Sequence, residues 1–270
     1  MIEKSPSSLS RPERRLWLVA AVASMAWRCG LAQTGDAEIL RIGFLRDYLP
    51  FSHVDATGRL LGFDVDVARH LALVLRQRVE FVPDTIKGLI QRMERADIHW
   101  IGNQLLATPD NRRLFDLVRP AYASIQLSVI QHEDDARDFL SLEDFVGKRL
   151  GVLAQTGVEE QAQAVLGKTV HAYPRIEDAL KDLVSKKLDA VLEENLIADY
   201  HIEKNSWPLK VAAPMAAPLA VGMAVRKGDE SRRTQLSAAI DQMLKDGSLS
   251  RIAHRWFGYD VSRSRVGHSL

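Results

Sequence analysis

A single cysteine, Cys29, stands in the 270 residues, and it falls inside a segment that reads as an export signal. The exported chain would therefore hold no thiol and form no disulfide, even in an oxidising compartment. Excess charge of either sign is also missing. The formal net charge is +1, and the basic residues are scattered among acids, which excludes the clustered Lys and Arg face that a polyanion binder needs. The eight histidines lack paired helical spacing, and there is no phosphate-loop glycine pattern and no Gly-x-Ser-x-Gly elbow. No metal, no cofactor and no catalytic residue is therefore expected. The apolar run near the start, Leu16 to Trp27, is too short to span a bilayer.

What is present is an ordinary folded composition, 46% hydrophobic and 26% charged, on a chain long enough for two lobes. Residues 1–32 have the parts of a cleaved signal peptide. Arg11, Arg14 and Arg15 precede the apolar run, and Gly30-Leu31-Ala32 is a small-x-small cleavage site. The Arg pair also faintly resembles a twin-arginine signal. Trp27-Arg28 before Cys29 do not suit a lipid anchor. Cleavage removes five bases and two acids, leaving a mildly acidic exported chain.

From Leu40 onward, strand and helix alternate. Leu40 to Leu45, Val79 to Val82 and Ile98 to Ile101 read as strands, with helices behind Asp64/Asp66 and around Leu89, Ile90 and Met93. Ile125 to Ile130 reads as a crossing, after which strands at Leu150 to Leu153, Val170 to Tyr173 and Ala190 to Leu192 alternate with helices. Leu219 to Val225 is the return crossing, followed by an amphipathic helix through Leu236, Ile240 and Met243. This β-α-β grammar, restarted once, predicts an α/β, two-lobed fold with parallel or mixed sheets, flanking helices and a two-segment hinge. The expected division is residues 33–127 for the first lobe, 128–220 for the second, and 221–270 returning to the first.

Tyr48-Leu49-Pro50-Phe51-Ser52, Gly62-Phe63-Asp64-Val65-Asp66, Lys245-Asp246-Gly247-Ser248-Leu249 and Trp256-Phe257-Gly258, in this order and spacing, resemble the extracytoplasmic solute-binding proteins of the polar amino-acid type, capture subunits of ABC importers with a type II periplasmic-binding-protein fold. The likeness covers nearly all of Leu40 to Asp260. It is nearest to the cystine-binding branch, whose Asn-Gln pair is matched by Asn103-Gln104.

The resemblance implies a cleft that holds a ligand amino acid by its carboxylate, its ammonium and a covering aromatic ring. Tyr48 takes the aromatic position, while Phe51 reads as core and Gly62-Phe63-Asp64 as the shaping of a helix start. Thr156, after Gln155, opens Thr-Gly-Val-Glu, a capping-box form at a helix N-terminus that suits a carboxylate. The family's carboxylate-clamping arginine aligns with Asn111, with Arg112 one residue later, and the expected threonine is Leu106. Either Arg112 takes over the clamp or the clamp is lost; Arg119 is a spare cation. Glu194, after Asp189-Ala190, takes the ammonium partner's place, and Ile86 replaces a frequent tryptophan.

The implied partners are a small amino acid or similar ligand and an inner-membrane ABC permease, with no nucleic acid and a monomeric state. Two other readings stay open. One is a lobe-cleft enzyme of the dehydratase kind, with Glu193 or Glu194 as general acid and a raised carboxyl pKa as its sign. The other is a sensor or accessory module.

Overall fold

The computed structural model describes residues 39–106 and 108–262. The expected signal peptide, with Cys29, lies outside the described residues.

The first sheet uses strands β1 (Leu40–Leu45), β5 (Val79–Asp84), β6 (Trp100–Leu106), β7 (Phe115–Leu117), β8 (Ala123–Ile125) and β14 (Leu219–Arg226). Its order is β5-β1-β6-β14-β7, with β8 also on β14. The three leading strands are parallel, and β14 returns antiparallel to β6, β7 and β8. Helices α1 (Phe63–Leu75) and α2 (Ile86–Glu94) supply the crossovers that parallel neighbours require. The second sheet, ordered β11-β10-β12-β9-β13, joins β9 (Leu127–His132), β10 (Leu150–Leu153), β11 (Val170–Tyr173), β12 (Ala190–Glu194) and β13 (Leu209–Pro214). Here β10, β11 and β12 are parallel, and β9 runs antiparallel to both β12 and β13. The result is a two-lobed mixed α/β fold.

The chain passes between the sheets twice, at Gln126 and through residues 215–218. Gln126 ties the two passages together, since its Nε2 donates to the Ala216 carbonyl at 2.7 Å. The same residue is bonded to the second lobe through Asn195, whose Oδ1 accepts from Gln126 N at 2.8 Å and whose N donates to Gln126 O at 2.9 Å.

The first lobe's core packs aromatic rings around the chain's start and end. Phe51 and Phe63 are fully buried, and Phe257 lies 5.1 Å edge-on from Phe63 and 6.3 Å from Phe51. Burying each such side chain stabilises by about 2 to 3 kcal/mol. A small antiparallel sheet of β2 (Asp47–Tyr48), β3 (Ser52–Val54) and β4 (Leu60–Leu61) carries the Tyr48 loop and was not foreseen from the sequence.

A third link between the lobes lies outside the two passages. Helix α6 (Asn195–Asn205) leaves the second sheet yet buries Leu196 in the first lobe's core, with Ile197 and Tyr200 packed beside it. The C-terminal segment meets it there: the Tyr259 hydroxyl donates to Asp199 at 2.6 Å, and the Tyr200 ring lies 6.1 Å from Trp256 at the end of α8 (Ser248–Phe257). Trp256 in turn donates to Asp66 of α1 at 3.1 Å.

Gly62, the residue before α1, has φ of +145°, and a Cβ there would stand 2.1 Å from the Phe51 carbonyl oxygen. Backbone cannot yield that much, so Gly62→Ala is expected to cost at least about 2 kcal/mol. A urea melt with an unchanged midpoint would refute this account of the turn.

Candidate ligand-binding site

Strands β10 and β12 are parallel neighbours, so their C-terminal ends, leading to Thr156 and Glu194, lie on the same edge of the second sheet. Likewise β1 and β6 are parallel, so Tyr48 and Thr108 follow strand ends on one edge of the first. Clefts at carboxyl-terminal edges of open α/β sheets are where such folds bind small molecules.

Tyr48 connects the two edges. Its ring lies 4.9 Å from Phe51. Burial raises the pKa of its phenol, and the fields of Glu194, Asp64 and Glu193 push it further the same way. Two of those carboxyls belong to the second lobe, so the Tyr48 ring of the first is within electrostatic reach of the end of β12.

Glu193 and Glu194 have an uncommon setting. Glu193 is 7% exposed, its Oε1 accepts from Glu194 N at 2.7 Å, and its Oε2 is buried with no hydrogen-bond partner. Glu194 Oε2 is likewise buried without a partner. Burial, helped by the Glu194 charge and opposed by the bond from Glu194 N, pushes the Glu193 carboxyl up to about 7. Burial alone raises Glu194. Sequence reasoning placed Glu193 only in the enzyme alternative. Its signal was an acid directly after the apolar Ala190-Val191-Leu192.

Asp64 is the second residue the sequence underrated. It is fully buried and accepts from Tyr122 Oη at 2.8 Å, Gln104 N at 3.1 Å and Asn103 Nδ2 at 3.2 Å. Burial lifts it to about 7 in spite of these bonds. Asn103, expected at the ligand, is fully buried. Its Nδ2 also donates to Ser52 Oγ at 2.8 Å and its Oδ1 accepts from Leu45 N at 2.6 Å, so the amide is consumed in the interior. Gln104 is also buried, with its Nε2 3.5 Å from Asp64 and its Oε1 unpartnered.

The remaining expected residues divide between capping roles and one cavity. The Thr156 hydroxyl is taken up by the helix it caps: it accepts from Glu159 N at 3.2 Å and donates to Leu153 O at 2.8 Å. What remains for an anion is the open N-terminus of α4 (Gly157–Leu166) rather than the hydroxyl. Gln155, at a φ of +61°, donates its backbone N–H to the Glu159 carboxylate at 2.7 Å. Asn111 turns back to donate to the Leu106 carbonyl at 2.9 Å, while Arg112 is exposed. Leu106, Thr108, Arg112 and Arg119 line one cavity of about 540 Å³ together with residues 218–222 of the return passage, so both candidate arginines share a wall. Tyr48 and Glu194 are not among its lining residues. Ile86 opens α2 and is 44% exposed. No grouping of His, Cys, Asp and Glu fit to hold a metal occurs among the described residues.

The model of the bacterial extracellular solute-binding proteins, family 3, matches residues 40–259. The chain belongs to this family. Members bind solutes, which sets aside the enzyme reading in which Glu193 or Glu194 acts as general acid. Among its relatives is the L-cystine-binding protein TcyJ of Escherichia coli, 28% identical over 244 residues, which are 90% of this chain and 91% of that protein. The L-arginine-binding protein of Pseudomonas aeruginosa is 28% identical over 82% of this chain and 89% of its own length. In fold this chain is similar to the L-cystine solute receptor of Neisseria gonorrhoeae in its unliganded open conformation, with a TM-score of 0.73, 24% identity, and coverage of 85% of this chain and 96% of that one.

The two raised carboxyls make stability depend on pH. In the unfolded chain Glu193 and Asp64 release their protons near 4.5 and 3.8, whereas the folded protein holds them to about 7. Stability from this source is therefore present at the acid end and lost as pH rises to about 7, by up to about 3 kcal/mol for Glu193. Glu193→Gln, which keeps the acceptor for Glu194 N, should be more stable than wild type at pH 8 by about 1 to 3 kcal/mol and nearly equal at pH 4.5. Urea midpoints at the two pH values check this; parallel profiles would reject it.

Proposed function

We propose that the protein captures a small α-amino acid or cystine-like compound in the periplasm and delivers it, as a monomer, to an ABC permease in the inner membrane. The observation that carries the reading is that the buried Glu193 and the half-buried Glu194 of the second lobe both act electrostatically on Tyr48 of the first, with no cation bonded to either acid among the described residues. In this reading Tyr48 covers the ligand and Glu194 takes its ammonium. The carboxylate is received at the N-terminus of α4 and by Arg112. Export through a signal peptide at residues 1–32 completes the proposal. The relatives that bind cystine and arginine support an amino-acid ligand.

A melting screen over amino acids, cystine, dipeptides and organic acids tests it. A ligand present at a hundredfold excess over its Kd stabilises the native state by about 2.7 kcal/mol, which raises the melting temperature visibly. No shift from any amino acid, with a clear shift from a dicarboxylate or a simple amine, would sink the reading. Glu194→Gln should weaken the best ligand at least tenfold, and Arg112→Ala should weaken it more than Arg119→Ala. Isothermal titration measures both, and equal affinities in the two arginine variants would remove Arg112 from the site.

A further inference from the structure

The end of β12 holds more negative charge than one ammonium group needs. Strand alternation sends Glu193 and Glu194 to opposite faces. The bond from Glu194 N to Glu193 Oε1, at 2.7 Å, instead turns the Glu193 carboxyl along the strand toward its C-terminal end. There it acts on Tyr48 together with Glu194. Each acid keeps one buried oxygen without a hydrogen-bond partner. The third buried carboxyl nearby, Asp64, is already occupied by Tyr122, Gln104 and Asn103.

An unpaired carboxylate in the interior is costly, and the cost is relieved when a donor-rich cation enters. An α-ammonium offers three donors and satisfies one acid. A guanidinium offers five in a planar fork, and a side-chain ammonium adds three more. Resting on the amino-acid reading above, we infer that Glu193 and Glu194 form a two-acid cation site, and that the ligand is a dibasic amino acid whose second positive group lies against Glu193. Glu193 is then the residue that separates basic from neutral amino acids.

Isothermal titration of the purified protein at pH 8 with L-arginine, L-lysine, L-glutamine and L-cystine, on wild type and Glu193→Gln, tests this. Wild type should bind arginine or lysine at least tenfold tighter than glutamine. In Glu193→Gln the ratio of arginine to glutamine affinity should fall at least tenfold, equivalent to about 1.4 kcal/mol. Glutamine binding as tightly as arginine, or a ratio within twofold of wild type in the variant, overturns the inference. Should the variant fail to fold, the wild-type ranking of the four amino acids decides alone. Binding of a neutral amino acid in preference to the basic ones removes only the two-acid site, whereas no binding of any amino acid removes the amino-acid reading with it.

Discussion

The first lobe is organised around one buried carboxyl. Asp64 sits at the start of α1, the Asn103-Gln104 pair near the end of β6, and Tyr122 just before the chain crosses to the second lobe. Their hydrogen bonds converge on it. A buried acid is tolerated only when its oxygens are met by donors, and here the donors come from two separate parts of the chain. Asn103 extends the set to Ser52 and Leu45, on either side of the Tyr48 loop. The network therefore fixes, relative to one another, the loop that carries Tyr48, the strand end that leads to Arg112, and the root of the first passage between lobes.

Much of this architecture was legible in the sequence because it follows hydrophobic periodicity. The strands Leu40–Leu45, Leu150–Leu153 and Val170–Tyr173 have the bounds that the apolar runs suggested, and the helices behind Asp64 and Thr156 begin where acids and caps announced them. The third strand was misplaced: it runs Trp100–Leu106 rather than 98–101, since Asn103 and Gln104 looked polar and are in fact interior. The small sheet around Tyr48 and strand β13 were missed because very short strands, and a strand of alternating exposure at a sheet edge, leave little periodic signal.

The site was harder to read for a different reason. Local patterns identify a cap or a helix start, and they identified Thr156 and Thr108 correctly as caps. Whether a polar group is left over for a ligand depends on which bonds the fold has already consumed. Thr156 and Asn103 spend their polar atoms internally, whereas Glu193, adjacent to the residue that the family pattern points to, keeps an oxygen in reserve. Only the tertiary arrangement separates these cases.

The contact of α6 with the chain's final helix bears on how the molecule is assembled. Tyr259 and Trp256 are among the last described residues, and they meet Asp199 and Tyr200 of the opposite lobe. During synthesis both sheets' parallel cores can gather before residues 256–259 arrive, since their parallel strands all precede residue 195. The clasp is thus made by residues that follow every parallel strand, and a nascent chain short of residue 259 has its two halves joined without it.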